Sequence, residues 1–146
     1  MYTTIRDEFK KLIDFYKIIP TDDIKEITLL SIEEAEKLPQ DILRCNDWWW
    51  LRSPGAHRSN YVAGVYSGGY VDVEGSHVNY DDFAVRPVLK VSNLESLNLK
   101  IGDKVACLGD RIWYYIGDDS ILHCDYVGKC TFNKKQKSNE FEGSDI

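Results

Sequence analysis

The sequence contains a single methionine, three histidines and four prolines, and it has no apolar run near the roughly 20 residues that a membrane-spanning helix requires. A helical span is therefore excluded. The first residues run directly into a polar, charged segment with no apolar leader, which sets the expectation of a cytoplasmic chain. Cys45, Cys107, Cys124 and Cys130 show no C-x-x-C spacing, and His57, His77 and His123 are scattered. A structural zinc site is not expected, and the four thiols are read as free, some of them buried as small apolar groups. Positive charge is also short: 18 Lys and Arg stand against 24 Asp and Glu, for a net charge of −6. Binding to a nucleic-acid backbone needs clustered cations, so no direct nucleic-acid partner is expected. The one basic run, Lys134-Lys-Gln-Lys137, reads as a solvated loop.

What is present suits a globular protein. Hydrophobic residues make up 43% and aromatics 12% of 146 residues, enough for one domain to bury a core without a metal or disulfide staple. The expected organisation is a single domain over 1–146, with helices and a motif-bearing part in 1–92 and a β meander in 93–146.

Helical periodicity is confined to the N-terminal part. Thr4 and Asp7 form a capping pair before Ile5, Phe9, Leu12, Ile13 and Tyr16, and Pro20 lies beyond the end of that helix. Ile27-Thr-Leu-Leu30 reads as a short strand, and Ser31-Ile-Glu-Glu34 is a capping box opening a helix that Pro39 closes. After Gly55 the pattern becomes short β segments at 61–66, 70–73, 77–80 and 84–91, with turns at Gly68-Gly69 and Glu74-Gly75. Pro87 has to sit at an edge, a bulge or a strand start. After a connection at 93–102, segments 104–108, 111–117 and 120–125 continue the meander. Ser144-Asp145-Ile146 has the form of a helix start with no helix after it.

Two motifs stand out from this background, Asp47-Trp-Trp-Trp-Leu-Arg-Ser-Pro-Gly55 and Val85-Arg-Pro-Val-Leu-Lys-Val91. Neighbours on a strand alternate, so Trp48, Trp49 and Trp50 cannot all face one way: at least one is expected in the core and one nearer the surface. Arg52 and Arg86 are planar permanent cations that need fixed partners when buried, with backbone carbonyls or Glu33, Glu34 and Asp47 as candidates. Trp48, Trp49, Trp50, Arg52, Pro54, Arg86 and Pro87 are read as structural.

Arg-Ser-Pro, Ala63-Gly-Val65, Gly69-Tyr-Val71, Val78-Asn79 and Val85-Arg-Pro-Val88 resemble the C-terminal half of C-type-lectin-like domains, in the branch of formylglycine-generating-enzyme-like proteins. Their spacing is similar to the variable proteins of diversity-generating retroelements. Leu29-Leu-Ser-Ile-Glu-Glu-Ala35 with Trp49-Trp-Leu-Arg-Ser-Pro-Gly55 resembles an uncharacterised bacterial domain family common in Firmicutes and their mobile elements. Gly102-Asp103, Ile112-Trp-Tyr-Tyr-Ile116, Phe132 and Glu142-Gly-Ser-Asp-Ile146 resemble the part that usually precedes those segments in that family. Here they follow, an order that fits circular permutation or a truncated second copy. The resemblance implies an α+β, C-type-lectin-like fold with two short helices packed on twisted antiparallel sheets.

In the resembling families the segment between the two arginines supplies the ligand-facing surface. Here it offers His57, Arg58, Asn60, Tyr61, Tyr66, Tyr70, Asp72, His77, Asn79 and Tyr80. Tyrosine with asparagine and glycine is the composition of adaptable recognition surfaces, although an ordinary half-exposed sheet would read the same way. Calcium would need converging oxygens; Asp81-Asp82, Asp118-Asp119 and Asn46-Asp47 are the candidates, without the sugar-binding Glu-Pro-Asn motif, so no metal or cofactor is expected. Cys45 with His57, or His123-Cys124, offers little to an enzyme reading, and no catalytic residue is assigned. Two expectations remain. One is a noncatalytic module that recognises a protein or glycan through the face between Gly55 and Ala84. The other is an inhibitor from a phage or mobile element that docks on a host defence nuclease or complex. A homodimer is left open.

Overall fold

The computed structural model describes residues 16–56, 59–134, 141, 144 and 146. The helix expected from Thr4 lies outside these residues except for Tyr16, as do His57, Arg58, Glu142, Gly143 and Asp145. Among the described residues the chain is α+β and richer in strand than in helix, with two short α-helices and two mixed sheets. It divides into two compact units, one holding the described residues up to Ile27 together with Val88–Cys124, the other holding Thr28–Pro87 and the chain from Asp125 on. Segment 93–146, expected as one meander, is thus shared between two units.

The first unit carries a six-stranded sheet. Its strands are β1 (Lys17–Ile19), β2 (Ile24–Thr28), β7 (Val88–Val91), β8 (Lys104–Cys107), β9 (Ile112–Gly117) and β10 (Ser120–His123), in the order β1-β8-β9-β10-β7-β2. β1 is parallel to β8, and the β8-β9-β10-β7 run is antiparallel. The β9-β10 turn places Gly117, Asp118 and Asp119 at positive φ, where glycine and aspartate carry little steric cost. Trp113 and Tyr115 share one face by strand alternation, and Trp113 packs with Ile19, Leu89, Val105 and Ile121. Its indole N–H donates to the Cys107 carbonyl at 3.0 Å, which settles its one buried polar atom.

The second unit carries a five-stranded sheet, with β3 (Trp49–Pro54), β4 (Tyr61–Val65), β5 (Val71–His77), β6 (Ala84–Val85) and β11 (Gly128–Lys129) in the order β11-β6-β3-β4-β5. β3 and β6 are parallel and the other pairs antiparallel. Helix α1 (Ile32–Glu36) begins with the capping box read from the sequence: Ser31 Oγ accepts from Glu34 N, and Glu34 Oε1 accepts from Ser31 N. Pro39 does more than close α1, because it stands at the N-cap of a second single turn, α2 (Gln40–Leu43).

Three strand expectations change. The strand expected over Ile27–Leu30 starts at Ile24 and ends at Thr28, before Leu29-Leu30. Segments 70–73 and 77–80, expected as two strands around a Glu74-Gly75 turn, are one strand to His77 followed by a turn. Gly75 bends within that strand at φ +82°, and a Cβ there would collide with the Val62 carbonyl oxygen, so its glycine signal belongs to a bulge against β4. The run 84–91 breaks at Arg86-Pro87, and β6 and β7 join different sheets. Proline has no amide to extend either ladder, so the break falls where the sequence placed its constraint.

Candidate functional site

The three adjacent tryptophans separate by strand alternation. Trp49 and Trp50 are fully buried, while Trp48, one residue before β3, is 42% exposed. Trp48 and Trp50 both reach the Phe83 ring, at centroid distances of 5.6 and 4.4 Å, which puts them on one face. Trp50 also meets Phe132 and donates its indole N–H to the Cys130 carbonyl. Trp49 points the other way, donating to the Leu43 carbonyl with the Arg86 guanidinium 4.6 Å over its ring.

The arginines serve carbonyls. Arg86 is wholly buried, and its Nη1 and Nε donate to the carbonyls of Leu43 and Asp125 at 3.2 Å. Leu43 ends α2, where carbonyls lack helical partners, so Arg86 and Trp49 together satisfy the end of that turn. Arg52 is half-buried and donates through Nη1 to the Leu29 carbonyl and to Glu34 Oε1. Burial alone would raise the Glu34 carboxyl, but the Ser31 amide and the Arg52 guanidinium outweigh it and hold it below the usual glutamate range. Glu34 thus ties the α1 cap to β3, and Ser53 adds a second tie by accepting from Ile32 N.

The residues expected to face a ligand form separate groups. Asn60 and His77 meet at 3.0 Å, with the Tyr61 ring 5.8 Å from the His77 ring. Asn79 N–H donates to His77 Nδ1 at 3.3 Å, and the Asn60 atom that meets His77 Nε2 is its side-chain nitrogen Nδ2. Asp72 accepts from Gly75 N within the bulge and from the Tyr66 hydroxyl; with desolvation, its charge pushes the Tyr66 phenol up. Tyr70 is 63% exposed and packs beside Gly68.

Tyr66 and Tyr80, both expected on the recognition face, join a further group whose other members the sequence reading places elsewhere. The Tyr66 ring meets Trp48 edge-on at 4.4 Å, and Tyr80 meets Phe83 at 5.4 Å. A cleft of about 290 Å³ opens beside them, lined by Asn46, Asp47, Trp48, Ser67, Tyr80, Asp82 and Phe83. Its aromatic wall has two partly exposed rings, Trp48 and Tyr80 at 42% and 50%. Its polar wall has two carboxylates, Asp47 and Asp82, each with Oδ1 3.2 Å from Lys129 Nζ. The Tyr126 hydroxyl and then Lys129 hold Asp47 below the usual aspartate range, and the same contacts raise the Tyr126 phenol and the Lys129 ammonium. The signal for this cleft lies in Asn46-Asp47-Trp48, which the sequence alone presents as a calcium candidate and a part of the frame.

The two pairings weighed for enzyme chemistry differ in placement. His123 is buried, with Nε2 3.1 Å from Arg111 Nη1 and its ring against Trp113, so it belongs to the first unit's interior. Cys45 Sγ lies 3.9 Å from Asp125 Oδ1, and His57 lies outside the described residues. Among the described residues no group of three His, Cys, Asp or Glu side chains converges as metal ligands, and no helix is long and apolar enough to cross a membrane. Comparisons of the chain with protein-family models, curated proteins and solved structures return no match.

Proposed function

We propose that this chain is a noncatalytic recognition module of C-type-lectin-like architecture in circularly permuted order, a cytoplasmic relative of the bacterial domain family its motifs resemble. Its binding face lies between Gly55 and Ala84 and extends to Trp48. The observation that carries this reading is the exposure of Trp48. A ring of that size is left 42% open beside a cleft, while the two tryptophans that follow it are fully buried. Large aromatics with polar tips contribute contact area at small entropy cost, and they concentrate where binding energy is concentrated. The partner is a protein, with a glycan as the competing occupant.

Affinity capture from a bacterial lysate, with the wild type beside a Trp48→Ala/Tyr80→Ala variant, tests the reading. A species held by the wild type and lost by a variant of unchanged melting temperature supports it. Equal capture by both would rule out this face.

A second reading is an inhibitor, encoded by a phage or mobile element, of a host defence nuclease. It is favoured by carboxylates beside exposed aromatics in a chain of net charge −6, since the nucleic-acid-binding groove of a nuclease is basic. Recovery of a nuclease in the same capture would select it.

A further inference from the structure

The cleft at Trp48 combines two features that suit a cation. Aromatic faces attract ammonium and guanidinium groups through the ring quadrupole, and carboxylates supply charge-assisted hydrogen bonds. The rings are Trp48 and Tyr80, and the carboxylates are Asp47 and Asp82. An independent observation shows that one cation can serve both acids: Lys129 Nζ stands 3.2 Å from an oxygen of each. Lys129 comes from β11, the short strand at the sheet edge beyond β6, and its side chain is about one third exposed. Asp82 is more open, with 68% of its side chain exposed. The Lys129–Asp82 contact is thus the open one of the two, and an ion pair of that kind contributes little stability, so exchanging its cation there costs little.

We propose that the cleft receives a lysine or arginine side chain of a partner protein, which takes the position Lys129 holds between Asp47 and Asp82 and lies against the Trp48 ring. This assignment rests on the recognition reading of the same cleft and adds the chemistry of the occupant. Lys129 then acts as an internal stand-in: it keeps the two carboxylates paired until a partner displaces it. A neutral sugar would use the rings but leave the paired carboxylates to Lys129, which is why a basic side chain is the better match.

The test is an NMR titration of the full chain, following the Trp48 indole N–H signal, which is identified by its loss in Trp48→Phe. Three probes are compared: N-acetyl-arginine amide, N-acetyl-citrulline amide as its neutral isostere, and glucose. The expected result is saturable binding of the arginine probe, with the citrulline probe weaker by about tenfold, the size of one partly desolvated cation contact. Lys129→Ala should strengthen arginine binding several-fold by freeing both carboxylates, and Asp82→Asn should weaken it. Lys129→Gln, which keeps the side-chain length, serves the same purpose if the alanine variant perturbs folding. Equal binding of arginine and citrulline probes, or no gain in either Lys129 variant, would overturn the cation seat while leaving the recognition face in place. Glucose binding alone would do the same and name a glycan instead. If none of the three probes shifts the signal, the cation seat and the cleft as a recognition site fall together.

Discussion

Arg86 and Arg52 carry the same charge into different surroundings, and their removal is expected to cost different amounts. Arg86 is sealed in, with donors on the carbonyls of Leu43 and Asp125 and its plane over Trp49. Arg86→Ala removes those bonds and leaves a void beside a buried ring, so chemical unfolding should show a loss of about 3 kcal/mol or more. Arg52 is one third exposed, and water screens its contact with Glu34. Arg52→Ala is expected to cost about 1 kcal/mol by the same measurement. Equal losses in the two variants would contradict this ranking. The sequence shows that both arginines need partners, with backbone carbonyls and Glu34 among the candidates. It does not show which carbonyls Arg86 reaches, because its acceptors lie at the end of α2 and at Asp125, far from it along the chain. The role of Trp48 was hidden for a related reason. Alternation says that neighbouring residues face apart, but not that the strand would begin after Trp48 and leave its ring at the rim.

At the scale of elements, α1 and β5 show how local signals are used. The α1 capping box was legible because its four residues are adjacent and its bonds are local. Ser31→Ala should destabilise the fold by about 1 kcal/mol in chemical denaturation. The linked carboxyl gives a pH signature. Glu34 titrates below its ordinary range in the folded protein, so the stability it contributes is complete above about pH 5 and is lost as the pH falls through the lowered folded value. Glu34→Gln should therefore flatten the acid side of a stability-against-pH curve, and an unchanged slope would contradict the Arg52–Glu34–Ser31 linkage. In β5 the glycine signal was read as a turn but serves a bulge, since both need positive φ. The distinction depends on the Val62 carbonyl of the neighbouring strand, which sequence spacing does not reveal. Gly75→Ala should cost at least about 1 kcal/mol, seen as a lowered melting temperature.

Across the whole molecule, the order of segments explains where reading along the chain succeeded and where it failed. Strand positions in 104–123 were close to those expected, because glycine and aspartate turns separate them cleanly. Their membership was not legible, because the chain leaves one unit after Ile27, returns at Val88 and leaves again after Cys124. A discontinuous unit is closed by contacts distant in sequence, and Pro87 is the one local mark of such a crossing. The net charge of −6 adds a prediction at this scale: if the partner is basic, its capture should weaken as salt rises from low to physiological strength and beyond. The central claim is that Arg52, Arg86, Trp49 and Trp50 form the frame while the Trp48 cleft does the binding. The most direct test is a paired measurement on Trp48→Ala, its melting temperature and its binding of N-acetyl-arginine amide by calorimetry. A melting temperature within a few degrees of wild type with binding lost is the predicted result. Retained binding, or a collapse in stability like that of Arg86→Ala, would contradict it.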